Sequence, residues 1–294
     1  MNTIAIIMRS KNEMPHTPKS LEALDQQTRQ DITLYNVDSG STDGTLECVL
    51  ERNPTRTVQI RPEEYIPGRV LNMMIQRTTE PIVVFLNADA IPTDPQWLEH
   101  LIAPILRDEA DATMSRQIPR EEASFIVKYD YQRAFNPRNI KGSNRTFFSA
   151  VACAFRRDLW EEHRFREQGY SEDLDWSKRC QAAGARFQLV VDSVVEHSHN
   201  YTLRQWYRKE FIHGEAYTHI FDRQPKISPI LMACAREMAR DTLYATRRLK
   251  LLTVPHNLLW RITFYTAQYQ GLKVASGRAP LTNTILTTLW RTPK

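Results

Sequence analysis

Uninterrupted apolar runs recur through the first two thirds of the chain, each followed by a polar segment and then a helical period. Ile4-Ala5-Ile6-Ile7-Met8 does not alternate, which suits a parallel strand covered on both faces. It opens into the polar residues 9–13. Thr17-Pro18 is then expected to start a helix, with Thr as N-cap and Pro at the first helical position. Residues 32–37 and 58–60 read as strands, and residues 68–77 as a helix with Val70, Leu71, Met74 and Ile75 apolar. The run Ile82-Val83-Val84-Phe85-Leu86 repeats the character of the first strand, and Asp94-Pro95 is expected to cap a helix through about Leu106. Beyond it, residues 111–114 and 147–155 read as strands and residues 124–135 and 157–163 as helices. A polar segment spans residues 136–145. Ser171 is expected to cap a helix to Ala183 closed by Gly184, and residues 186–191 form a further strand. Strands alternating with helices at this pace imply βαβ units around a parallel sheet.

Two of these strands end in a carboxylate, Asp38 and Asp89, which places both acids on one sheet edge. In open α/β sheets the ligand crevice lies at the carboxyl ends of the strands. Asp89 either caps the turn before Pro92 or handles a metal ion or phosphate. No G-x-G-x-x-G follows the first strand and no G-x-x-x-x-G-K-[ST] occurs, so a diphosphate needs a cation or basic side chains instead of a glycine loop. Glu172, Asp173 and Asp175 fall on the first turn of the expected helix, where the helix dipole favours ionised acids, and Asp175 can pair with Arg179 four residues on. His197 and His199 follow a strand end. On an extended segment they point to opposite faces, so at most one is expected to enter the site.

Composition narrows the class. With 41% hydrophobic and 25% charged residues in 294, the chain can bury a sizeable core and is not disordered. Cys48, Cys153, Cys180 and Cys234 are widely spaced, which fits reduced structural thiols of a cytoplasmic protein. Residues 1–8 lack the length and basic start of a signal peptide, and no apolar run is long enough to span a membrane. Charge is uneven: residues 200–294 carry 15 basic and 5 acidic side chains, against 24 and 29 in residues 1–199. The tail, with helices expected over 230–252 and 257–274 on either side of Pro255, is either a pair of amphipathic helices packed on the preceding domain or a surface for anionic membrane. No motif supports nucleic-acid binding.

Taken in order, Ile6-Ile7-Met8-Arg9-Ser10-Lys11-Asn12-Glu13, Val37-Asp38-Ser39-Gly40-Ser41-Thr42-Asp43-Gly44-Thr45, Asn87-Ala88-Asp89 and Glu172-Asp173 resemble the family 2 glycosyltransferases of the GT-A fold. The phrases Arg116-Gln117-Ile118-Pro119-Arg120, Phe147-Phe148-Ser149 and His197-Ser198-His199-Asn200-Tyr201 are similar to its rhamnosyltransferase-like members. The resemblance covers about residues 3–215. It implies a Rossmann-like, mostly parallel central sheet flanked by helices, as residues 1–200, with a C-terminal helical extension, residues 201–294. It implies transfer of a sugar from a dTDP-, UDP- or GDP-linked donor to a saccharide or lipid-linked acceptor, with inversion. The alternative is a catalytically degenerate nucleotide-sugar-binding module. By the same resemblance Asp173 is the catalytic base, and Ser10, Glu13, Asp38, Ser39, Asn72, Asn87 and Asp89 take the donor. Asp89 and His197 hold Mg²⁺ or Mn²⁺, and Arg116, Gln117, Ser149 and Glu172 lie on the acceptor or diphosphate side. The enzyme is expected in the cytoplasm, peripheral to the inner face of the cell membrane. Two departures stand out: Asn87 replaces the acid that usually opens the metal motif, and Ser39 replaces a second Asp.

Overall fold

A computed structural model describes residues 4–136 and 147–277. Apart from Asn136, the polar segment expected over 136–145 lies outside the described residues. The chain divides into two compact units, Met1–Ala123 with Val127–Ser198, and Ser124–Ile126 with His199–Lys294.

The first unit is built on an eight-stranded mixed sheet. Its elements in chain order are β1 (Ile4–Ser10), α1 (His16–Asp25), β2 (Ile32–Asp38), α2 (Thr45–Leu50), β3 (Arg56–Gln59), α3 (Pro67–Ile75), β4 (Ile82–Asn87), β5 (Ile91–Pro92), α4 (Trp97–Leu106), β6 (Ala112–Ile118), α5 (Phe125–Ala134), β7 (Ala152–Arg156), α6 (Arg157–Glu162), α7 (Glu172–Ala182) and β8 (Phe187–Glu196). The strand order is β3-β2-β1-β4-β7-β6-β8-β5. β7 and β5 run against the other strands. The sheet is buried on both faces, as its continuous apolar strands require. Ala5, Ile7, Val83 and Phe85 pack under α3, α6 and α7. Ile4, Ile6, Met8, Val84 and Leu86, one residue out of phase, pack under α1, α2 and α4.

Register brings the chemistry to one edge. Ser10 pairs with Asp38 across β1 and β2, and Arg9 with Asn87 across β1 and β4. β6 and β8 run parallel and end together, Ile118 opposite Glu196. An irregularity between Ser115 and Arg116 shifts the pairing from Val190 to Val194, which re-aims the last three residues of β6.

Several boundaries differ from expectation. α1 starts at His16 with Pro15 at the N-cap, and Thr17 is buried inside its first turn. Asp94 bonds the Gln96 N–H at 2.6 Å in a turn before α4, so the helix starts at Trp97. Ser171 does precede α7, but in a left-handed conformation (φ 63°) and with no capping bond from its side chain. β7 starts only at Ala152, because the residues before it are held by side chains described below.

The second unit contains α8 (Leu203–Phe221), α9 (Ile227–Arg247) and α10 (Val254–Ala275). Pro255 lies in the first turn of α10, where a missing N–H leaves no bond unmade. α8 and α10 approach backbone to backbone: a Cβ on Gly214 would lie 2.4 Å from the Gln268 carbonyl oxygen, and one on Gly271 would lie 2.1 Å from that of Phe211. Trp206 and Trp260 stack at 4.4 Å across the same pair of helices. No helix among the described residues is long and apolar enough to cross a membrane.

Candidate active site

The two loops that leave β1 and β2 are stitched together at the carboxyl edge. Asn12 accepts the Thr42 N–H at 2.8 Å, the Glu13 N–H donates to Thr45 Oγ1 at 2.9 Å, and the Met14 N–H donates to Asp43 at 3.0 Å. Asp38 is buried and accepts four hydrogen bonds. Oδ1 takes the N–H groups of Gly40 (2.9 Å) and Ser41 (2.8 Å), and Oδ2 takes the hydroxyls of Ser10 (2.9 Å) and Ser41 (2.5 Å). A carboxylate has about four acceptor positions. Asp38 therefore orders its own loop, and a nucleoside base can bond to it only where a serine hydroxyl gives way. Ser39 is buried beside it and donates to the Ser10 carbonyl at 3.3 Å. Burial, reinforced by the charge of Asp89, pushes the Glu13 carboxyl up to about 8.

Asp89 follows the end of β4 and is 1% exposed. Its Oδ2 lies 3.5 Å from His197 Nε2 and 3.1 Å from the Arg120 guanidinium. His197 Nδ1 lies 3.0 Å from Gln117 Oε1 and 3.4 Å from the Tyr131 hydroxyl, and Gln117 Nε2 donates to Ser149 at 2.9 Å. With the Gln117 amide so oriented, Nδ1 donates its proton to Gln117, and a neutral imidazole then presents the Nε2 lone pair on the Asp89 side. A ligating histidine is usually held in this way by its other nitrogen. The ligand atoms of Asp89 and His197 lie within 4.8 Å of each other. A carboxylate oxygen with an imidazole nitrogen suits Mn²⁺ better than the oxygen-preferring Mg²⁺, so the residues fit a divalent cation. Arg120 adds a fixed positive charge. Its guanidinium also donates to the Asp89 and Ser198 carbonyls, and its N–H donates to Ser198 Oγ at 3.0 Å, which ties the end of β4 to the end of β8.

The second acidic centre is organised by Arg9. Its guanidinium donates to Asn87 Oδ1 at 3.0 Å and to the Ala150 carbonyl at 2.7 Å, and it pairs with Glu172 at 3.4 Å. The N–H of the same residue, Ala150, donates to Asp173 Oδ2 at 3.2 Å, and Asp173 Oδ1 accepts the Leu174 N–H at 2.8 Å. These contacts hold the chain ahead of β7 out of strand geometry. Burial pushes Glu172 up to about 7, with the charge of Asp173 adding to the rise and Arg9 opposing it. Asp173 is also raised by burial, against the backbone bonds from Ala150 and Leu174. Burial alone would lower Arg9, but the charges of Tyr65, Glu172 and Asp173 outweigh it and hold the guanidinium above its ordinary range.

Most of the residues singled out in the sequence thus fall on one edge, but not all in the expected manner. Asn87 bonds Arg9, which links it to the Glu172 side. Gln117 and Ser149 form a chain behind His197. Arg116 lies on β6, half-buried, one residue before that chain. Asn72, expected at the donor, is buried: its amide nitrogen bonds the Phe165 carbonyl and Glu167, and its oxygen accepts from Trp160 Nε1 and the Phe165 N–H. Asp175 bonds Arg179 at 2.9 Å, as the four-residue spacing implied, and Arg166 at 3.1 Å. β8 stops at Glu196, so strand alternation does not govern His199. Arg9 and Arg120 were missed as site residues. The available signal was a basic residue at the end of an otherwise apolar strand, and a second one closing the phrase Arg116–Arg120.

The profile described as "Glycosyl transferase family 2" matches residues 5–164. An O-antigen chain rhamnosyltransferase of Salmonella typhimurium is 26% identical over 223 residues, 72% of this chain and 71% of that protein. One from Salmonella anatum is 29% identical over 208 residues, 65% of this chain and 64% of that protein. Among solved structures, a mannosyltransferase of Pyrobaculum calidifontis in complex with GDP-mannose and Mn²⁺ is similar in fold at TM-score 0.58 and 19% identity, covering 98% of this chain and 79% of that one. Glucosyl-3-phosphoglycerate synthase of Mycobacterium tuberculosis, in complex with Mn²⁺, UDP and phosphoglyceric acid, is similar at TM-score 0.55 and 19% identity, covering 75% and 79%.

Proposed function

The chain belongs to glycosyl transferase family 2 and is a glycosyltransferase, and on that premise we propose that it transfers a deoxyhexose, with inversion, from a nucleoside-diphosphate sugar to a hydroxyl of a growing saccharide. The observation that carries this reading is the pairing of two acidic centres on one sheet edge, Asp89 with His197 and Asp173 with Glu172. The names of the two Salmonella relatives support a rhamnosyl donor and a polysaccharide acceptor. Asp89 and His197 are the residues that would hold a divalent cation. Such an ion offsets the negative charge that builds on a leaving diphosphate. Arg120 keeps Asp89 and the segment after His197 in place for it.

Asp173 is the base. Both of its oxygens are oriented by backbone N–H groups, and its raised proton affinity suits removal of a proton from the attacking hydroxyl. Glu172 is held by Arg9, which leaves Asp173 as the carboxylate for this role and supports single displacement. Asn87 contributes no charge, so the cation site depends on His197 more than a two-acid site would.

Asp173→Asn should lower transfer by at least about 10²-fold, the usual contribution of a general base, with nucleotide affinity nearly unchanged. Retained turnover, or lost nucleotide binding, would sink the assignment. We further place the enzyme at an anionic membrane surface, on the strength of the basic second unit, with 15 basic and 5 acidic side chains in residues 200–294.

A further inference from the structure

The second unit turns its apolar side chains outward at one end. Between α9 and α10 the chain reads Arg247-Arg248-Leu249-Lys250-Leu251-Leu252. Leu249, Leu251 and Leu252 are 87%, 58% and 97% exposed. The turn is not a frayed helix end, because the Leu249 N–H bonds the Thr246 carbonyl at 3.0 Å and the Lys250 N–H bonds that of Ala245 at 2.9 Å. Leu249 sits there at φ 56°, in the left-handed region that leucine seldom occupies.

α10 adds exposed apolar residues: Leu259 and Ile262 are 51% and 46% exposed, while its buried stripe carries Asn257, Arg261 and Gln268 beside Trp260, Ala267 and Leu272. Two of these interior polar groups are matched, Arg261 with Asp241 at 2.6 Å and Gln268 with Glu210 at 2.8 Å. Asp241 is also the last acidic residue of the chain, and it is buried. The exposed leucines therefore lie in a stretch that bears basic side chains and no carboxylate.

That combination selects the occupant. A second copy of this chain would bring like charges together at the same tip. An acidic polysaccharide would match the charge but would leave the leucines in water. An anionic bilayer takes both, with apolar side chains in the acyl boundary and basic ones at the lipid phosphates. We propose that the α9–α10 turn is a membrane-inserting tip, in which Leu249, Leu251 and Leu252 enter the bilayer surface while Arg247, Arg248 and Lys250 engage anionic headgroups. The inference rests on the membrane placement above and names the element responsible for it.

The test is co-sedimentation of the full chain with vesicles of phosphatidylcholine alone and with phosphatidylglycerol added, at low and moderate salt. Two variants are compared with wild type, Leu249→Asn/Leu251→Gln/Leu252→Gln and Arg247→Gln/Arg248→Gln/Lys250→Gln. Wild type should bind the phosphatidylglycerol vesicles. Each variant should bind at least about tenfold more weakly, and the leucine variant should keep the wild-type thermal midpoint because it alters exposed positions. Wild-type binding that the leucine variant retains would overturn the tip and leave the membrane placement standing. Failure of wild type to bind either vesicle would overturn the placement and the tip with it. A wild-type dimer that the leucine variant dissociates, in sedimentation without lipid, would assign the face to a second copy and overturn the proposal.

Discussion

Glu172 shows how a single side chain is set by its neighbours. Burial first, and Asp173 second, raise its carboxyl from 4.5 to about 7. The folded protein thus holds a proton that the unfolded chain has released. Its contribution to stability is full below about pH 4.5 and is lost as the pH rises through about 7. In Glu172→Gln that dependence is gone, so the difference in unfolding free energy between pH 5 and pH 8 should shrink by roughly 2 kcal/mol. Denaturant titrations at the two pH values measure it, and an unaltered difference would count against a buried, protonated Glu172. The identity of such residues was legible in part. Asp38, Asp89 and Asp173 are visible as acids at strand ends or a helix start. Their partners were not, because Arg9, Arg120 and the Ala150 N–H reach them from segments distant in sequence.

At the scale of elements, continuous apolar runs marked β1 and β4 well, because a strand covered on both faces has no polar side to obscure it. β5 is two residues long and leaves no period to detect. β7 was expected five residues too early, since residues 147–151 are as apolar as a strand but Ala150 among them is held by Arg9 and Asp173. The packing of α8 on α10 was invisible for a different reason: its determinant is two glycines, which contribute nothing to a hydrophobic pattern. Gly214→Ala and Gly271→Ala each force a methyl group into a backbone carbonyl. Each should cost roughly 1–3 kcal/mol or more by overpacking. Thermal unfolding will show the loss, and midpoints within a degree of wild type would mean that the helices stand farther apart.

For the molecule as a whole, the paired centres on the sheet edge should act as one ligand-dependent unit. A nucleotide sugar with Mn²⁺ should raise the thermal midpoint by more than either does alone. Ligand at about a hundred times its Kd stabilises by roughly 2.7 kcal/mol. Removal of the ion with EDTA should abolish the metal-dependent part, and Asp89→Asn should abolish it without EDTA. A shift from nucleotide sugar that neither treatment alters would remove the cation from the reading.

The local pattern of the chain was sufficient for the type of sheet, the edge on which the acids gather and the family to which the chain belongs. Strand period, carboxylates at strand ends and the spacing of the motifs are all carried by neighbouring residues. Register, burial and partner choice decided the rest. Only in the folded chain does Gln117 orient His197, Asn72 bond the Phe165 carbonyl, and Arg9 link Asn87 to Glu172. Each of these is a contact across 78 residues or more, or depends on the conformation of a loop, which side-chain periodicity does not encode.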